Sequence, residues 1–91
     1  MPDEFPKIGY LKCENAGGRQ FNDKLMRFKN YDRNFIAGFF SLEKLVDESL
    51  LEVQVEKIDG DKALVNLPYY HCHIFTGGKQ HFVNKESIVY R

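Results

Sequence analysis

The sequence predicts a mostly-β domain: a small six-stranded barrel with short helical turns near 41–48 and 84–87. Three observations predict it. Leu51, Val53 and Val55 alternate with Glu52, Gln54 and Glu56, and Ala63, Val65 and Leu67 alternate again after a break, which is the period of a half-buried strand. Turn residues punctuate the chain at Asn15-Ala16-Gly17-Gly18, Asp59-Gly60 and Gly77-Gly78. The two halves also line up without a gap at an offset of 43 residues, so hairpin, third strand and helical turn recur in the same order.

The clearest element is the hairpin Leu51–Leu67. A three-residue loop Ile58-Asp59-Gly60, with Gly60 as the left-handed residue of a G1 bulge, pairs Lys57 with Asp61 and Glu56 with Lys62. The same register pairs Val55 with Ala63, Val53 with Val65 and Leu51 with Leu67, all on one face. Pro68 stops the second strand because it lacks an N–H. Tyr69–Phe75 and Gln80–Val83 then read as a second hairpin across Gly77-Gly78, and Asn84 caps a single helical turn before Ile88–Tyr90. Earlier in the chain, Ile8, Tyr10 and Lys12 start a strand. Asn15–Gly18 is a turn, Gln20–Phe28 a strand, Asn30–Asn34 a turn and Phe35–Phe40 an aromatic strand. Ser41 caps a short helix in which Leu42, Leu45 and Val46 share a face.

The duplication pairs residues 8–46 with 51–89 inside one domain spanning 1–91. Gly17 meets Gly60, Phe39 meets Phe82, Glu43 meets Glu86 and Val46 meets Val89. A three-stranded unit cannot bury a face alone, so two copies would pack into one barrel. The C-terminal half also resembles the second half of an SH3-like barrel: hairpin, strand, one helical turn and closing strand follow in that order over Leu51–Tyr90. That resemblance is to a superfold, so it implies an architecture and no activity.

Composition narrows the function. Thirteen Lys and Arg balance thirteen Asp and Glu, and hydrophobic residues make up 43%. The apolar content excludes a disordered chain, and no apolar run approaches the roughly 18 residues of a membrane helix. Met1-Pro2-Asp3-Glu4 is acidic with no apolar segment behind it, unlike a secretory leader. With only Cys13 and Cys72, the expectation is a cytoplasmic protein with free thiols.

No catalytic constellation emerges, and no cofactor is expected. Cys72 sits between His71 and His73, but strand neighbours point to opposite faces and neither can readily serve it as a base, while His81 reaches it only diagonally in the two-residue-loop register. Glycine pairs 17–18 and 77–78 do not open helices carrying Lys-Ser/Thr, so they are not phosphate loops. Glu43 and Glu86 suit first helical turns.

The expected function is a non-enzymatic interaction module, an adaptor or inhibitor of a larger protein. Thirteen aromatics are more than so small a core can enclose. Tyr69 and Tyr70 cannot both point inward, so Tyr69, Tyr70 and Phe82 form the candidate partner-binding patch. A homodimer falls within this class. A second class is nucleic-acid binding through Arg19, Lys24, Arg27, Phe28, Lys29, Tyr31 and Arg33, where cations meet phosphates and rings stack on bases. Zero net charge argues against nonspecific coating of nucleic acid. A third class is zinc binding by His71, His73 and His81. A three-residue loop at Gly77-Gly78 would bring those imidazoles together, whereas the two-residue loop favoured by Gly-Gly splits them across the sheet.

Overall fold

Alternation of buried and exposed residues builds nearly every element. The computed structural model describes residues 5–20, 22–47, 49–68, 73–74 and 78–90. Strands β1 (Lys7–Lys12) and β2 (Glu14–Gln20) are almost continuous, separated only by Cys13. After β3 (Asp23–Lys29) and β4 (Phe35–Ser41), a 3-10 turn at Leu42–Lys44 leads into β5 (Leu45–Val46). Next come β6 (Leu50–Asp59), β7 (Lys62–Asn66), β8 (His73–Ile74) and β9 (Gln80–Asn84). A second 3-10 turn at Lys85–Ser87 precedes β10 (Ile88–Val89).

The strands form two antiparallel sheets. The first runs β10-β1-β6-β7-β9, with β5 also on β6, and the second runs β2-β3-β4-β8. The mostly-β expectation holds, and the closed six-stranded barrel does not. β9 and β10 end the path of the first sheet without pairing to each other. The β3–β4 turn reaches β9 instead: Tyr31 donates its N–H to the Phe82 carbonyl at 2.8 Å. A turn thus meets β9, the edge strand that barrel closure would have paired with another strand. The strand count exceeds six because β1 passes from one sheet into β2 of the other, and because β5, β8 and β10 are two-residue strands.

The sheets share one core. Met26, Phe28, Ile36 and Phe40 of the second sheet join Leu11, Leu51, Val53, Val55, Val65, Val83 and Ile88 of the first in a single buried cluster. On β3, Met26 and Phe28 point in while Arg27 and Lys29 point out. That alternation sets the candidate site described below.

The Leu51–Leu67 hairpin is present with a different register. Asp59 pairs with Lys62, Ile58 with Ala63 and Lys57 with Leu64. The turn is therefore two residues, with Gly60 at φ +67 in its first position, where a II′-type turn takes glycine. The bulge lies at Glu56, beyond which Val55 stands opposite Val65, where the expected register has Val53. Two contacts explain the shift. Ile58 stays in the strand and packs on the core. Asp61 is held from both sides, its carboxylate accepting from the Tyr31 hydroxyl at 3.0 Å and its carbonyl from the Lys85 N–H at 3.0 Å.

Three other expectations are corrected. Asn15–Gly18 is a bulge inside β2, where the register with β3 shifts between Asn15 and Arg19, Gly17 adopts φ +94, and Asn15 Oδ1 accepts from the Gly17 N–H at 2.7 Å. β8 and β9 do not pair as a hairpin; β8 pairs with β4 and β9 with β7. The short helix expected near 41–48 is a single 3-10 turn, Leu42–Lys44, since Leu45 and Val46 are drawn into pairing with Leu51 and Leu50, whereas the single helical turn expected near 84–87 is present at Lys85–Ser87. Ser41 caps the first turn by accepting from the Glu43 N–H at 3.3 Å, whereas Asn84 occupies the cap position of the second without a side-chain hydrogen bond.

Candidate functional site

On the outer face of the second sheet, strand register arranges charge in rows. Glu14 stands opposite Arg27, and Arg27 opposite Ala37. One row on, Lys29 stands opposite Phe35. Lys12, the last residue of β1, lines the same cleft as Lys29. Arg27 Nε donates to Glu14 Oε1 at 2.7 Å, an exposed pair that adds little to stability. Neither Lys12 nor Lys29 has a carboxylate partner among the described residues.

Phe35 is 48% exposed. The Arg27 guanidinium carbon lies 4.5 Å from its ring centre and Lys29 Nζ lies 5.2 Å from it. Both distances suit cation–π attraction, which holds the ring against the sheet while leaving much of its surface in water. Lys12, Cys13, Glu14, Arg27, Phe28, Lys29 and Phe35 line an open cleft of about 450 Å³. That size accommodates one or two side chains of a partner.

Cys13 places a thiol in the lining of this cleft. Its N–H donates to the Ser49 carbonyl at 2.9 Å, and its thiol to the same oxygen at 3.5 Å. Burial pushes the thiol pKa up to about 12. The thiol is therefore neutral at physiological pH and a poor nucleophile. A pH dependence follows. The unfolded thiol ionises near 9.0, while the folded one resists ionisation up to about 12. The stability that Cys13 contributes is complete below pH 9 and is lost as pH rises through that window, with a slope approaching ~1.4 kcal/mol per pH unit. Urea denaturation at pH 8 and pH 10.5 should show a larger loss for wild type than for Cys13→Ala. Equal losses would mean that the thiol ionises freely in the folded chain.

The remaining candidate residues are distributed as follows. Tyr69 and Tyr70 lie outside the described residues. Phe82 is half-buried on β9, with Lys62 Nζ 4.8 Å from its ring centre. Lys62 Nζ also lies 5.6 Å from the Tyr31 ring. The Asp61 hydrogen bond, together with the Asp61 charge, raises the Tyr31 phenol pKa. Phe82 thus belongs to a cluster with Tyr31, Asp61 and Lys62 that fastens the β3–β4 turn to the first sheet.

The basic stretch does not form one face. Arg27 and Lys29 point outward, but Lys24 has the inward parity of Met26 and Phe28. Phe28 is 3% exposed, so its ring is closed to a base. Arg33 occupies the β3–β4 turn at φ +66, and the side chain of Arg19 lies outside the described residues.

Of the histidines, His71 lies outside the described residues. His73 and His81 are on strands of different sheets. The His81 ring is buried, with Nε2 2.7 Å from the Gly78 carbonyl and an edge contact to Phe28 at 5.9 Å between ring centres. Among the described residues, no group of three His, Cys, Asp or Glu is placed to hold a metal ion.

Sequence reasoning singled out Arg27, Phe28 and Lys29, and missed Lys12, Cys13 and Glu14 as their neighbours. The signal for Glu14 is the register of β2 on β3, which the bulge at Gly17 conceals, and Lys12 and Cys13 follow from the near-continuity of β1 with β2. No family model matches the chain, and no curated protein or solved structure matches it either. Among the described residues no helix is long and apolar enough to cross a membrane.

Proposed function

We propose that the chain is a small, non-catalytic, cytoplasmic interaction module that holds a protein partner in the cleft around Phe35. The observation that carries this reading is a half-exposed aromatic ring backed by Arg27 and Lys29 in a cleft that Lys12 also lines, Lys12 and Lys29 having no carboxylate of their own among the described residues. An exposed ring in a charged rim is the usual anchor of a protein interface. The protonated Cys13 thiol supports a binding role for the cleft rather than nucleophilic chemistry.

Two features support the finer architecture proposed with it. The strand path β10-β1-β6-β7-β9, with a 3-10 turn before the last strand, is compatible with an SH3-like ancestry. The duplication is supported by the two 3-10 turns and their following strands, Leu42–Lys44 with Leu45–Val46 and Lys85–Ser87 with Ile88–Val89, which differ by the same 43 residues. It is also supported by β1 and β6, which the offset relates. They pair antiparallel so that Leu11↔Leu51 and Ile8↔Gln54 are images of one another.

Phe35→Ala tests the function. The wild-type chain should retain a protein partner from its native host. The variant should bind that partner at least about tenfold more weakly, the loss expected of an aromatic anchor, with an unchanged melting curve. Equal retention by both chains would remove the cleft as the site.

A further inference from the structure

We infer that the occupant of this cleft is an acidic, extended peptide segment carrying carboxylates at alternate residues with an apolar side chain beside them. The inference rests on the interaction reading above and names the chemistry of the partner. Charge complementarity carries it. Arg27 is already neutralised by Glu14, but Lys12 and Lys29 are not paired among the described residues. Both line one cleft with Arg27, and Phe35 stands opposite Lys29 in it.

Alternate residues of an extended peptide stand about 6.6–7 Å apart. Lys12 and Lys29 line one cleft on flexible four-carbon stems, so two carboxylates of one segment can reach both ammonium groups at once. An apolar side chain then enters the cleft against Phe35, where the cleft floor includes Phe28 and Cys13. Burial of that side chain supplies most of the affinity, and the two ion pairs select the sequence and speed encounter.

Single-stranded nucleic acid fits these observations less well. It needs a track of cations along its backbone and open rings for its bases. Here the basic side chains of β3 divide between two faces, and Phe28 is enclosed. A pair of carboxylates needs only two free cations.

The test is a titration of the ¹⁵N-labelled chain followed by NMR. The probes are an acetylated, amidated hexapeptide alternating glutamate and phenylalanine, the same peptide with glutamine for glutamate, and a twelve-residue oligothymidylate. The acidic peptide should move the amide signals of Lys12, Arg27, Lys29 and Phe35. Its affinity should exceed that of the glutamine peptide by tenfold or more and fall at least fivefold between 50 and 300 mM salt. The double variant Lys12→Gln/Lys29→Gln should lose that preference with its melting curve intact. Equal affinity for both peptides would overturn the inference, as would oligothymidylate moving these signals in place of the acidic peptide. If Phe35→Ala loses the native partner while the acidic peptide leaves the cleft untouched, the interaction reading stands and the acidic partner falls. If Phe35→Ala keeps the native partner, the interaction reading itself falls.

Discussion

Phe40→Ala is expected to leave the domain barely folded at 25 °C. Phe40 is the largest of the fully buried side chains and is 0% exposed. It sits on β4 opposite Lys24 of β3 and belongs to the cluster that both sheets share. Removing a buried phenyl costs about 3–5 kcal/mol, from lost transfer energy and from the cavity left behind. Small domains have total stabilities near the low end of about 5–15 kcal/mol. The substitution therefore consumes most of the margin. Urea denaturation should show the midpoint collapsing toward zero, with much of the β circular dichroism signal lost in buffer alone. Phe40→Leu keeps most of the volume and should cost about 1.5 kcal/mol or less. A Phe40→Ala midpoint near that of wild type would mean that the sheets do not depend on a common core.

The elements that strict alternation specifies were legible in advance, and those that depend on a distant contact were not. Leu51, Val53, Val55, Ala63, Val65 and Leu67 identify a hairpin with one buried face, and all six are buried. The register was not legible, because it depends on Tyr31 and Lys85 holding Asp61 and on Ile58 reaching the core. Nothing local to the turn reports those partners. Asn15-Ala16-Gly17-Gly18 has the composition of a turn, yet it is a bulge, because β2 runs on to pair with Asp23 and Lys24. The same residue types serve both structures, since each requires one left-handed glycine. Closure into a barrel was over-read for a related reason. Alternation specifies which face is buried and leaves open whether an edge strand meets another strand or a turn. For the site, Arg27, Phe28 and Lys29 on one strand were visible as a basic and aromatic mixture. Their division into an outward pair and a buried ring follows from period two. Lys12 joins them only through the path of β1 into β2, a long-range property.

Gly9→Val is expected to detach the C-terminal strand before it disturbs the rest of the first sheet. Gly9 is buried in β1, where β6 and β10 flank the strand. A Cβ there would lie 2.7 Å from Ile88 Cγ2 and 2.9 Å from Val55 Cγ2. Neither contact is tolerable, so a neighbour must move. Overpacking of this kind costs typically about 1–3 kcal/mol, and a branched side chain adds to what Ala would impose. The weaker neighbour yields. Val55 lies within the ten-residue β6, paired on both sides, while Ile88 belongs to a strand of two residues held by Tyr10↔Val89 and Leu11↔Ile88. Native-state amide exchange should therefore speed up by tenfold or more at Ile88 and Val89, with a smaller change at Val55 and Val65. A double-mutant cycle separates this mechanism from general destabilisation. Ile88→Ala removes the methyl that meets the new side chain, so Gly9→Ala combined with Ile88→Ala should cost less than the two single substitutions added together. Strict additivity would show that Ile88 is not the atom that gives way, and that β10 is held by something other than its packing over Gly9.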